Sequence, residues 1–329
     1  MKNYPWKSSA FCVFAPYPEE VEDFCLMIET VLARDGIDTL FMIVRYDFEF
    51  KSHPECRGDH PLSIEDAKKI LNTCRKCGIR LVPKMNLMGH QNFQHYEGID
   101  GLLRGHPEFD ETPDLEEVEY CRSLCPSHPD IFPIVCDLMD EVVDAFEADG
   151  LHVGMDEVFI VGECERCKDR DKGELFAEWV NKLAGHLRER GVTTYMWGDR
   201  LLDSFAIGYG PWDASQNGTH TALNLIDKDI IICDWHYHDW PNFPSASIFA
   251  EAGLKVYLCV FNSKDNAKLF LDEVLENDKG NIVGVMETTW TPAKWMIEGL
   301  LDRALSDSGD LWFKNGTPHI VDCYNWLFK

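Results

Sequence analysis

Apolar runs and amphipathic segments alternate along this chain with little interruption. Phe11 to Ala15 forms the first apolar run. Glu19 to Arg34 then sets Val21, Phe24, Cys25, Ile28, Val31 and Leu32 at helical spacing, and Gly36 ends the segment. The same alternation recurs. Strands are predicted at Thr39–Val44, Ile79–Asn86, Leu151–Phe159, Thr194–Trp197, Ile230–Tyr237, Val256–Phe261 and Ile282–Trp290. Helices are predicted from a Ser63 cap to Cys77, and over Pro133–Ala148, Glu174–Arg190, Ser245–Ala252, Asn266–Leu275 and Pro292–Leu305. About eight strands alternating with helices predict an α/β chain folded as a (β/α)8 TIM barrel, a single domain over residues 1–329. A doubly wound sheet is the rival. Its phosphate-binding first turn needs glycine, and here that turn is Ala15-Pro16-Tyr17-Pro18.

One connection breaks the rhythm. Residues from about 91 to 130, between the third strand and the third helix, hold Gly98, Gly101, Gly105, Pro107, Pro113 and Pro126 without periodicity. A loop this long inside a compact domain reads as functional, a lid over a site.

Composition narrows the partners. Hydrophobic residues make up 45%, enough for a sizeable core, and no apolar run is long enough to cross a bilayer. The net charge of −26 argues against nucleic acid, whose phosphates need a basic face. Met1 to Trp6 is not followed by a signal-peptide core, and 13 scattered cysteines read as mostly reduced thiols. The expected location is therefore cytoplasmic, with neither membrane nor nucleic acid as a partner.

The predicted strands end in chemistry. Tyr46-Asp47, Gly89-His90, Asp156-Glu157, Trp197-Gly198-Asp199, Trp235 to Asp239, and Glu287 with Trp290 all follow apolar runs, whereas the strand starts are bland. In a barrel these ends surround one pocket. The stretch Leu151 to Phe159 is central, because its apolar run delivers two adjacent carboxylates. Alternation puts His152, Gly154 and Asp156 on the inner face and Leu151, Val153 and Met155 toward the helices. Glu157 reaches the pocket only if the chain bends there. Two close carboxylates resist joint ionisation, so one pKa of the pair is predicted to rise.

These motifs resemble glycoside hydrolase family 20, the β-N-acetylhexosaminidases. His152-Val153-Gly154-Met155-Asp156-Glu157 is similar to the family's His-x-Gly-Gly-Asp-Glu, and Val82 to His90 to its strand ending in Pro-Gly-His. Trp197-Gly198-Asp199, Tyr237-His238-Asp239 and Trp290 resemble further elements in the right order. The resemblance implies retaining, exo-acting hydrolysis of terminal β-linked GlcNAc or GalNAc, with the substrate's own acetamido oxygen as nucleophile. It implies that Glu157 is the general acid and base, that Asp156 holds the acetamido N–H and stabilises the oxazolinium, and that Tyr237 orients the acetamido oxygen. Trp197, Trp235 and Trp290 would wall the sugar, with His90 and His152 in support. Arg45, Asp199 and Asp239 complete the expected substrate-binding set. No cofactor is needed for this chemistry. Arg45 has an alternative reading as a partner of Asp47, and His152 as a satisfied buried histidine.

The chain also departs from the pattern. Met155 replaces the motif's second glycine. The strand-one arginine has no counterpart in Phe11 to Pro18, and the N-terminal accessory domain is absent from the resemblance. Two other function classes stay open: a non-catalytic sugar-binding barrel, which would not need both Asp156 and Glu157, and a metal-dependent hydrolase using His90, His152, His236 or His238. Finally, Cys121, Cys125, Cys164 and Cys167 lie in loops expected at the same barrel face. Four thiolates at these spacings suit a structural zinc, against free thiols or a labile disulfide.

Overall fold

Eight parallel strands close into a barrel in the computed structural model, which describes residues 4–93, 96–99, 101–118, 120–307 and 311–329. The strands are β1 (Ser8–Phe14), β2 (Thr39–Ile43), β3 (Arg80–Lys84), β4 (Gly150–His152), β5 (Thr193–Trp197), β6 (Ile231–Trp235), β7 (Lys255–Val260) and β8 (Ile282–Thr288). Each pairs with its neighbours in sequence, and β1 closes on β8 with Ser8 opposite Gly284. The main helices are α1 (Val21–Met27), α2 (Ile64–Lys76), α3 (Ile131–Ala145), α4 (Lys172–Glu189), α5 (Ser245–Glu251), α6 (Lys264–Glu276), α7 (Ala293–Leu300) and α8 (Leu311–Phe328).

The period of two along each strand sorts side chains into two cores. Ala10, Cys12, Phe41, Tyr195, Cys233 and Tyr257 fill the barrel interior. The residues between them, such as Phe11, Leu40, Met42, Met196 and Ile232, pack against the helices. Leu151, Val153 and Met155 join the outer core, as alternation predicts. Helix starts follow local chemistry. The Ser63 hydroxyl accepts the Asp66 N–H at 3.1 Å, and the Asp66 carboxylate accepts the Ser63 N–H at 3.0 Å, a reciprocal cap for α2. Asp171 caps α4 by accepting the Glu174 N–H at 2.9 Å.

Two differences from the sequence reading matter. The fourth strand is only Gly150–His152, and the rest of the predicted strand is a loop. Between β5 and β6, where no helix is predicted, stand the short helix Ser204–Ile207 and the 3-10 turn Thr219–Asn224. Helix α8 is an addition, hidden in the sequence because Gly316 and Pro318 break its periodicity. Among the described residues, no helix is long and apolar enough to cross a membrane.

Candidate active site

The mouth of the barrel is built where β4 stops. Gly154, Met155 and Glu157 all have positive φ, at 81°, 80° and 48°. This sharp coil ends the alternation that would have sent Glu157 outward. It is fitted tightly between its neighbours. A Cβ on Gly154 would lie 2.9 Å from the Met85 carbonyl oxygen, and one on Gly89 would lie 2.9 Å from that of Asp156. Only glycine tolerates both approaches. Met155 holds the same left-handed backbone with a side chain, buried to 1% exposure, at a strain of about 1–3 kcal/mol. That conformation is why glycine suits this position of the motif.

Neighbouring elements brace the coil. The Glu157 N–H donates to Asp199 Oδ2 at 2.9 Å, at the end of β5. Asn217 Nδ2 donates to the carbonyls of Val158 and Phe159 at 2.9 and 3.0 Å. From α4, Trp179 Nε1 donates to the Leu87 carbonyl at 2.8 Å and fixes the segment after β3.

His90 sits between the two carboxylates. Its Nε2 is 3.2 Å from Asp156 Oδ2 and 3.2 Å from Glu157 Oε2, and its Nδ1 is 3.5 Å from Cys121 Sγ. The two carboxylate oxygens are therefore separated by at most twice that distance. Burial opposes charge on His90, but Asp156, with help from Cys121 and Glu157, outweighs it and raises its pKa well above the usual imidazole value. Burial would likewise raise Asp156, yet the charges of His90 and Lys84 drive it far below the usual carboxylate range. The predicted rise therefore does not fall on Asp156. The raised acid nearby is Asp199, pushed up to about 6 by burial against the opposing charge of Arg200.

Lys84 escaped the sequence reading. It is buried at the end of β3, its Nζ 2.6 Å from Asn86 Oδ1 and 5.8 Å from the Trp197 ring centre. Burial lowers its pKa. Tyr120 also escaped. It comes from the long loop and donates its hydroxyl to Glu157 Oε2 at 2.7 Å, with its ring against Trp212 and Phe159. Nothing in that aperiodic loop marks one tyrosine above its neighbours.

Trp197 forms the floor, fully buried, 4.6 Å from the His152 ring and 5.7 Å from Trp290. Trp290 Nε1 donates to the Tyr237 hydroxyl at 3.1 Å, and Thr288 Oγ1 lies 2.9 Å from the same oxygen. Since an indole N–H can only donate, the phenol oxygen is the acceptor of the Trp290 bond. The Trp235 ring lies 4.9 Å from that of Tyr237 at a tilt of 31°, and its Nε1 donates to Asp199 Oδ1 at 3.3 Å. His152 is fully buried; its Nδ1 accepts the Gly154 N–H at 3.0 Å, and burial lowers its pKa well below normal. Its neutral ring then carries the proton on Nε2, which has no hydrogen-bond partner.

Other expected residues stand differently. Asp199 accepts from the Glu157 N–H, Arg200 and Trp235, so it braces the coil after β4. Asp239 is exposed and lies 3.3 Å from Asn266 Nδ2. Arg45 is buried at φ 51°, its Nη2 3.2 Å from the His90 carbonyl. His236 is buried against Asp234 at 3.0 Å and Ser245 at 2.8 Å, and His238 lies 3.3 Å from Asp213. The four histidines of the metal-hydrolase reading form no common ligand group among the described residues. Cys121 turns to His90 and stands apart from the other three cysteines. Cys125, Cys164 and Cys167 do converge, and Glu111 takes the fourth place.

The cluster around His90 gives a pH signature. Its raised pKa means that its stabilising contribution is full below about pH 6.5 and fades as pH rises through the folded value. Asp156 is lowered, so its contribution is present above about pH 4 and is lost on acidification. The stability lost in His90→Asn should be largest between about pH 4 and 6.5 and shrink on either side. Thermal unfolding of both proteins as a function of pH checks this, and a pH-independent difference would contradict a charged His90–Asp156 pair.

The sequence pattern of the glycosyl hydrolase family 20 catalytic domain matches residues 45–296. The match begins after β1 and β2. No curated protein sequence matches the chain. Among solved structures, the fold is similar to a β-N-acetylhexosaminidase of Bacteroides fragilis NCTC 9343, with 14% identity, a TM-score of 0.62, and coverage of 98% of this chain and 70% of that one. An exo β-N-acetylglucosaminidase of Vibrio harveyi, solved with N-acetylglucosamine, gives 14% identity, a TM-score of 0.64 and coverage of 98% and 58%. A chitobiase of Flavobacterium johnsoniae gives 17%, 0.63, and coverage of 98% and 52%. The chain thus spans between about half and 70% of these relatives' lengths. With the catalytic-domain match running from Arg45 to Met296, through the carboxylate pair at the barrel mouth, this protein belongs to glycosyl hydrolase family 20.

Proposed function

We propose that the protein is a retaining exo-β-N-acetylhexosaminidase that removes terminal GlcNAc or GalNAc by substrate-assisted catalysis. The observation that carries this reading is the Asp156–His90–Glu157 cluster beside a wall of Trp197, Trp290 and Tyr237. The two carboxylates take different roles. The charges of His90 and Lys84 favour the ionised form of Asp156, which suits it poorly to donating a proton. It suits the acetamido N–H and the positive oxazolinium, where a fixed negative charge counts most. Glu157 protonates the leaving glycosidic oxygen as the acetamido oxygen attacks the anomeric carbon. It then takes a proton from the water that opens the oxazolinium, so the configuration is retained. His90 faces both groups, and proton movement between it and Glu157 needs no rearrangement. The Tyr237 hydroxyl, fixed by the Trp290 N–H, donates to the acetamido oxygen and orients it.

A panel of aryl glycosides tests the reading. Aryl β-N-acetylglucosaminide or β-N-acetylgalactosaminide should be cleaved, with inhibition by a thiazoline that mimics the oxazoline, while aryl β-glucoside, which lacks the acetamide, should not turn over. Failure on both N-acetylated substrates, or equal turnover of the plain glucoside, would sink it.

A further inference from the structure

We propose that Glu111, Cys125, Cys164 and Cys167 form a zinc site that fastens the long loop to the segment following Glu157. The four candidate ligand atoms all lie within 4.8 Å of one another, and all four residues are buried. Cys125 Sγ is 3.4 Å from Cys164 Sγ and 3.7 Å from Cys167 Sγ. Tetrahedral zinc, with Zn–S near ~2.3 Å, separates its sulfurs by about 3.8 Å, so little movement is required. Three thiolates and one carboxylate suit zinc among common divalent ions, because soft sulfur disfavours magnesium and calcium.

Glu111 supplies an independent observation. Its side chain is fully buried, and Oε1 accepts the Glu163 N–H at 2.9 Å. Oε2 is buried without a hydrogen-bond partner. A buried carboxylate oxygen left unpaired is expensive unless a cation or proton meets it. A metal among the three sulfurs would meet it, and the thiol protons would pass to solvent on binding.

The backbone already presents the ligands. The Glu111 N–H donates to the Ser123 carbonyl at 3.0 Å, and the Cys125 N–H to the Phe109 carbonyl at 2.7 Å, so Glu111 and Cys125 flank one ladder. Between them in sequence lie Tyr120, which touches Glu157, and Cys121, which touches His90. Cys164 and Cys167 come from the segment after the catalytic coil. A metal joining the two pairs would hold the Tyr120 loop over the active site, as a positioning element that does not enter the chemistry.

Protein purified without chelator should contain about one zinc per chain. Cobalt(II) added to metal-free wild type should give intense thiolate-to-cobalt charge-transfer absorption. Cys125→Ser, Cys164→Ser and Cys167→Ser should each weaken that band, whereas Cys121→Ser should leave it unchanged. Glu111→Gln should keep the band but lower affinity by at least the roughly 10-fold that outer-shell changes already cost. Removing the metal should also open residues 101–129 to limited proteolysis. Wild type with neither zinc nor a cobalt–thiolate band overturns the proposal, and this result does not depend on any variant folding. A band that Cys121→Ser abolishes and Cys164→Ser spares overturns the ligand set.

Discussion

Glu157→Gln is expected to lower kcat/KM on an aryl N-acetylhexosaminide by about 10²–10⁴-fold, the usual worth of a general acid–base group. The substitution keeps the side chain's shape. Its backbone N–H still reaches Asp199, and its amide oxygen still accepts from Tyr120. What it removes is the exchangeable proton. The loss should therefore grow as the leaving group becomes more basic, because a good aryl leaving group needs little protonation. A purely structural role for Glu157 would give a loss independent of the leaving group. Activity within tenfold of wild type, with circular dichroism unchanged, would remove Glu157 from the acid–base role.

Asp156→Asn should cost about 10²–10³-fold in kcat, comparable to removing one group from a preorganised electrostatic site. Asparagine fills the same space but brings no negative charge to the developing oxazolinium. Because that charge exists only on the way to the transition state, kcat and kcat/KM should fall together. Affinity for the thiazoline mimic should fall as well, since such mimics track transition-state binding. Glu157→Gln should disturb thiazoline binding far less, as that ligand has no leaving group to protonate. The loss of Asp156 also takes away the main charge that keeps His90 protonated against burial. The His90 pKa should drop in the variant, and NMR titration of its ring reads this directly. Unchanged thiazoline affinity in Asp156→Asn would refute an electrostatic role for Asp156.

Much of the site was legible before any coordinates. Trp197, Tyr237 and Trp290 follow strands, and the barrel gathers strand ends at one mouth. Asp199 reads from the sequence as a site residue, and its hydrogen-bond partners are the Glu157 backbone, Arg200 and Trp235. A strand-end carboxylate can face either the ligand or the backbone that carries the chemistry, and sequence spacing does not distinguish the two. The cysteines show the same limit. The Cys164–Cys167 spacing was informative because it is local. The pairing with Cys121 failed because a four-residue step in an irregular loop does not fix side-chain direction, and Cys121 turned to His90. Glu111 and Tyr120 went unnoticed because their partners lie 52 and 37 residues away.

The sequence by itself determined the order of the barrel strands and of most helices, and the sorting of side chains into barrel and helix-layer cores. Those follow from periods of 2 and 3.6, which are local properties of the chain. The turn that brings Glu157 in beside Asp156 was decided only by the tertiary structure. Three residues in left-handed backbone, one of them the strained Met155, persist because β3, β5 and the Asn217 loop bond to the coil from three sides. No local preference would select that run of conformations, so the placement of Glu157 beside Asp156 is a product of packing.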